Sequence, residues 1–140
     1  MIEGTVYCTK QFILLACELG GRILSAEELV FLSETYVYVV VDPIGVATVK
    51  AKHEGTLSNV KRALEIAAAR FNLDWWPDYG TQGWKKLARS LEARHRITHP
   101  KMTVELLVSD NDLNVHKDAF AWLLDSLNEL QSSLLRKYDV

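Results

Sequence analysis

Between Ser109 and Tyr138 the chain repeats side chains at helical spacing for longer than any other stretch. Leu113, His116, Phe120, Leu123, Leu124, Leu127, Leu130, Leu134 and Tyr138 fall on one stripe. Ser109 followed by Asp112 resembles a capping box, which sets the start of a helix near Asp110. Continued to Tyr138 at 1.5 Å per residue, such a helix approaches ~40 Å, longer than a domain of this size spans. Its far end is therefore expected to pack against a second subunit. A chain committed to one such helix has to bury it against other helices, so the expected fold is mainly α.

The chain has 140 residues, enough for one domain, 1–140, with a core of its own. No segment approaches the ~20 apolar residues that a membrane span needs. The apolar run Phe12 to Cys17 is short, is flanked by Lys10 and Glu18, and has neither a basic leader nor a small-residue cleavage site. It is not expected to be a signal peptide. Cys8 and Cys17 fall in one predicted helix, roughly 13 Å apart, beyond the ~7 Å between Cα atoms that a disulfide tolerates. Reduced thiols without a targeting signal point to the cytoplasm.

Residues 7–19 read as a helix apolar nearly all round, hence buried, and closed by Gly20-Gly21. Ser25 and Glu28 form the pattern of a capping box ahead of a second, short helix. Residues 35–41 and 46–53, rich in β-branched and aromatic side chains, flank Asp42-Pro43-Ile44-Gly45 and predict a small inserted β-hairpin over about 35–53. A third helix opens at Thr56 or Ser58, with Leu57, Val60, Leu64, Ala67, Ala68 and Phe71 on one face. A loop from Leu73 to Gly83 carries Trp75, Trp76 and Tyr79. A fourth helix runs from about Trp84 to Ile97. The expected fold is a helical bundle of four to five helices.

Charge is distributed unevenly although the net is only −2. From Lys85 to Lys101, six basic residues stand against Glu92 alone, a local +5; the other 10 basic and 17 acidic residues leave −7. An acidic body with one basic patch suits a specific anionic ligand. On the fourth helix, Trp84, Leu87, Ala88 and Leu91 define the stripe expected to be buried. One turn further, His95 falls near the middle of that stripe and Arg94 at its flank, with Arg96 on the solvent side. A buried charge without a partner costs several kcal/mol, so Arg94 is expected to meet an anion, a carboxylate or a water-filled cleft.

Pro100 disfavours helical backbone at His99, so the helix should end there and let His99 turn back towards Arg94. A permanent cation beside an imidazole is the minimum equipment for handling a phosphodiester. The same spacing equally fits a capped helix end with satisfied core histidines.

The stretch Gly83-Trp84 through Leu91-Glu92-Ala93-Arg94-His95-Arg96-Ile97-Thr98-His99-Pro100-Lys101 resembles the signature of HEPN domains. In that family an arginine is followed by a polar residue and then by a histidine four to six positions beyond the arginine. Here the pattern is Arg94-x-x-x-x-His99 with His95 at the polar position. Leu107-Val108-Ser109-Asp110 ahead of the last helix adds to the likeness, which is clearest over residues 83–127.

The resemblance implies a metal-independent endoribonuclease of toxin-antitoxin, defence or RNA-processing type, working without a cofactor. Two subunits would form one composite site. It implies His99 as general acid or base, since an imidazole of ordinary pKa ~6.5 suits both roles. It implies Arg94 on the scissile phosphate, with His95 and Lys101 in support. The product would carry a 2',3'-cyclic phosphate. RNA or a nucleotide, a second copy of the chain and an antitoxin are the partners it implies. The alternative it leaves open is a non-catalytic HEPN-like dimeric module that binds a nucleotide, RNA or a partner protein.

Other chemistries fit less well. His95-x-x-x-His99 has the spacing of two helical metal ligands but lacks the glutamate of HExxH, so no metal is expected. Cys8 and Cys17 lie in an apolar helix that disfavours thiolate. Gly20-Gly21 has none of the flanking residues of a phosphate loop. Trp75, Trp76 and Tyr79 are suited to stacking on bases or to capping a core.

Overall fold

The computed structural model describes residues 2–34, 37–51 and 54–138. The fold is mainly helical, with five α-helices among the described residues: α1 (Ile2–Leu19), α2 (Ala26–Leu32), α3 (Thr56–Arg70), α4 (Gln82–Thr98) and α5 (Asp110–Tyr138). No helix among these residues is long and apolar enough to cross a membrane. The chain divides into two compact units, Met1–Asn72 and Leu73–Val140.

In the first unit, α1 ends where Gly21 adopts a positive φ of 61°, the left-handed backbone that glycine tolerates best. This lets Arg22 N donate to Cys17 O at 2.8 Å and satisfies a terminal carbonyl. Ser25 caps α2 with a reciprocal box: Glu28 N donates to Ser25 Oγ, and Ser25 N donates to Glu28 Oε2. Arg70 reaches across from α3 to the same carboxylate at 2.6 Å. Burial opposes the charge on Glu28, but the bonds from Arg70 and Ser25 outweigh it and hold the carboxyl below its ordinary range.

The core of this unit is the α3 face Val60, Ala63, Leu64, Ala67, Ala68 and Phe71, set against Ile2, Val6, Ile13 and Cys17 of α1. The expectation that α1 is buried nearly all round is corrected here. Tyr7, Phe12, Leu15 and Leu19 are exposed. Among the described residues of this unit, α2 and α3 pack against the helix and cover one side. That covered side also holds Lys10, which is 3% exposed. Its Nζ donates to Asn59 Oδ1 at 2.8 Å, pairs with Glu34 at 3.3 Å and lies 4.0 Å from the centre of the Phe31 ring. Three partners offset the cost of taking an ammonium out of water.

Val37–Val41 (β1) and Ala47–Ala51 (β2) pair antiparallel, Val37 opposite Ala51 and Val41 opposite Ala47. Gly45 has φ 85°, and Asp42 Oδ1 accepts from the backbone N–H of Ile44 and Val46, which closes the loop between them. Residues 35, 36, 52 and 53, part of the segments expected to be extended, lie outside the described residues.

The second unit is built on α4 and α5, which pack along each other as an antiparallel pair. Contacts run from Gly83 against Trp122, through Lys86 with Asp118 and Ser90 with His116, to Arg96 with Asp112. A methyl group on Gly83 would overlap Cβ, Cγ and Cδ1 of Trp122, so the two backbones approach closely there. Tyr79, Trp84 and Trp122 form a chain of edge-on rings, 4.7 and 5.4 Å between centres, which seats the start of α4. Trp75 donates its indole N–H to Glu129 at 2.7 Å, whereas Trp76 is exposed.

The buried line of α5 is Ala119, Leu123, Ser126, Leu130 and Ser133. Leu113, Leu124 and Tyr138 of the expected stripe are exposed. The periodicity is right and its centre is displaced, because small residues allow the close approach.

Candidate functional site

Thr81 caps α4, its side chain accepting from Trp84 N at 3.3 Å. At the other end the helix closes on Thr98, with His99 as the capping residue at φ −131°, ψ 57°. Pro100 explains the change of backbone at His99, since its ring excludes a helical predecessor. His99 N still donates to His95 O at 2.9 Å, and Thr98 Oγ1 donates to the carbonyls of Arg94 and His95. These bonds satisfy carbonyls that a helix end leaves open.

The capping geometry keeps the two imidazoles together. The rings of His95 and His99 are 5.0 Å apart, centre to centre, and tilted by 51°. Both are exposed, as are Arg94 and Lys101. Lys101 N donates to a carboxylate oxygen of Glu105, which fastens the chain after Pro100 to the 3-10 turn Thr103–Leu106.

Two expectations about orientation are corrected. Arg94 and His95 do not point into the core, and Arg96 is not ordinary surface. Arg96 is half-buried, donates to Leu107 O at 3.2 Å and pairs with Asp112 at 3.1 Å. The sequence reading centres α4 on Trp84, Leu87, Ala88 and Leu91. Its fully buried residues are Leu87 and Ser90, and Gly83 is the point of closest approach. The packed side is thus rotated by about a quarter turn from the expected one, given ~100° per residue. Serine and glycine carry no weight in a hydrophobic stripe, although they let α5 approach.

Asp112 is the hub of the junction between the two helices. It accepts from Ser109 N at 3.0 Å and Ser109 Oγ at 2.8 Å, and its own N–H donates back to Ser109 Oγ. The Ser109 backbone bond, its hydroxyl and then the Arg96 charge hold the Asp112 carboxyl below its ordinary value.

Sequence reasoning missed the pair Ser90 Oγ and His116 Nδ1, 2.6 Å apart between α4 and α5. It also missed an open groove of about 1020 Å³ on this unit. Lys86, Arg89 and Arg96 line that groove together with Glu92, Asp112 and Asp118, over a floor that includes Ala93, Val108 and Val115. Its charges cancel, which distinguishes it from the end of α4. Arg94, His95, His99 and Lys101 are not among its walls. A partner 26 residues away leaves no local sequence signal; the spacing of Gly83, Ser90, Ala119 and Ser126 along the two helices is the nearest trace. Among the described residues, no three of His, Cys, Asp or Glu gather closely enough to hold a metal ion.

No protein-family model, curated protein or solved structure matches the chain at a significant level.

Proposed function

We propose that the C-terminal end of α4 is the site of a metal-independent endoribonuclease of HEPN type, belonging to a toxin, defence or RNA-processing system. The observation that supports it most is the exposed imidazole pair, 5.0 Å apart, in sequence beside Arg94 at the end of a basic helix. Single-stranded RNA supplies the rest. His99 takes the proton of a 2'-hydroxyl as its oxygen attacks the adjacent phosphorus, and a protonated imidazole returns a proton to the departing 5'-oxygen. The products are a 2',3'-cyclic phosphate and a 5'-hydroxyl end. Arg94 offers two parallel N–H donors to the phosphate as its charge grows. His95 orients the phosphate or its arginine, and Lys101 adds positive potential.

On this reading the two strands Val37–Val41 and Ala47–Ala51 are an insertion on a HEPN-type bundle. On the same reading the protein acts in the cytoplasm as a dimer with a composite site and, in a toxin system, is held in check by an antitoxin.

The test is to incubate purified protein with total RNA or tRNA, with and without EDTA, and to map the ends. Cleavage that persists in EDTA, leaves cyclic phosphates and is lost by at least ~100-fold in His99→Ala is the expected result, that being the low end of a general acid or base contribution. Full activity of His99→Ala, with unchanged helical circular dichroism, would refute the assignment. RNA binding without any cleavage would place the protein among the non-catalytic modules.

A further inference from the structure

Within the second unit, the loop that precedes α4 meets the last two turns of α5 around a cavity of about 610 Å³. The loop lines it with Leu73, Asp74 and Trp75, and α5 with Ser133, Arg136 and Lys137. Its volume is that of a small-molecule site. Ser133 stands ~30 Å along α5 from Asp112, the partner of Arg96, at 1.5 Å per residue. The cavity is therefore remote from the end of α4 that carries His95 and His99.

The polar groups around it are largely unused. Asp74 is exposed and makes no hydrogen bond or ion pair among the described residues. Arg136 makes one bond among them, from Nη2 to the Ser133 hydroxyl at 3.0 Å, although a guanidinium has five N–H donors. Trp75 is half-buried and tethered at its edge, where the indole N–H donates to Glu129 at 2.7 Å. That bond fixes the plane of the ring and leaves its face uncommitted. A helix terminus favours cations in its last turn, which accounts for Arg136 and Lys137 alone. It gives no reason for an indole and an unpaired carboxylate beside them.

We propose that this cavity binds a guanine nucleotide. The base stacks on Trp75, with the buried Leu73 as a further apolar wall. Its 5'-phosphate takes paired N–H donors from Arg136, and Lys137 adds positive charge. Asp74 selects the base. Guanine presents two adjacent donors, N1–H and the 2-amino group, which match the two oxygens of one carboxylate. Adenine and cytosine set a single donor beside an acceptor, and uracil sets one donor between two acceptors, so each turns a lone pair towards Asp74. The site is separate from the ribonuclease reading and stands or falls apart from it.

Equilibrium dialysis of the full chain against guanosine 5'-monophosphate, adenosine 5'-monophosphate and guanosine, each up to ~1 mM, tests the assignment. The guanine nucleotide should be retained at least ~10-fold more tightly than the adenine one, the low end of what one bidentate pair discriminates. Asp74→Asn should abolish that preference without changing the helical circular dichroism, since Asp74 has no partner to lose. Arg136→Gln should lower the monophosphate to the level of guanosine. Trp75→Leu should weaken binding by ~10-fold, whereas Trp75→Phe, which keeps a ring face but not the bond to Glu129, should retain most of it.

No retention of guanosine 5'-monophosphate at ~1 mM would overturn the site. Equal retention of the two monophosphates, or a preference that survives Asp74→Asn, would overturn the choice of base. Competition by a pentanucleotide with one internal guanosine separates the two sources of the ligand. Displacement of the monophosphate at equal or lower concentration identifies an RNA strand, and failure to displace it identifies the free nucleotide.

Discussion

Gly83 marks a close approach in the packing of α4 on α5. Gly83→Ala adds one methyl group, and on an isolated helix it would be favourable by up to about 1 kcal/mol. In this fold the new carbon overlaps Cβ, Cγ and Cδ1 of Trp122; turning the indole about χ1 shifts Cγ and Cδ1, but Cβ is fixed to the helix and stays in the way. Either the helices part or the indole leaves its place against Trp84. Overpacking of that kind costs about 1–3 kcal/mol, so the net effect is a loss of about 1–2 kcal/mol.

The comparison that isolates the cause is Gly4→Ala. Gly4 lies in α1, and a methyl group there meets nothing within 4 Å. That substitution should stabilise by about 0.5 kcal/mol through the unfolded chain alone. In a thermal melt followed by helical circular dichroism, about 1 kcal/mol moves the midpoint by ~3–5 °C in a chain of this length. Gly83→Ala should therefore melt several degrees lower than the parent, and Gly4→Ala a few degrees higher. Trp122→Ala removes two of the three overlapping atoms, so combining it with Gly83→Ala should cost less than the sum of the two by about 1 kcal/mol. A Gly83→Ala protein that melts higher than the parent would refute the close approach, and with it the orientation of α4.

Other outcomes follow from the same contacts. The Asp112 carboxyl is held below its ordinary value of 3.8, so it favours the folded state above that pH and the contribution is lost as pH falls through the depressed value. Hydrogen exchange in the first turn of α5 should accelerate only in that acid range, and Ser109→Ala should move the onset upwards. Burial, then Glu28, pushes the Cys17 thiol above its ordinary value. Ellman's reagent at neutral pH should titrate one thiol, the exposed Cys8, and a second only after unfolding; rapid reaction of both would contradict the packing of α1 on α3.

The helices and their ends were readable because their causes are local. Ser25 with Glu28, Ser109 with Asp112 and the glycines after α1 each act within a few residues of themselves. The faces were not readable on α4 and α5, because apolar bulk is a poor guide where two helices touch through Gly83 against Trp122 and Ser90 against His116. The difference matters for the candidate site. Arg94, His95 and His99 are sequence neighbours, so their clustering at a helix end was legible; the ties of Arg96 to Asp112 and of Lys86 to Asp118 join residues 16 and 32 positions apart and were not. Those two ties change what the basic segment offers a ligand. A sum over Lys85 to Lys101 counts +5, but a guanidinium and an ammonium in that sum already face carboxylates of α5. At the proposed site, an anion arriving at the end of α4 would meet side chains exposed there, His95, His99 and Lys101 beside Arg94, against the partial negative charge of the helix terminus itself. Such a site gains little from long-range attraction and depends on contacts made at the phosphate. Under the proposed ribonuclease reading, that favours a ligand held at one phosphodiester over one spread along the helix.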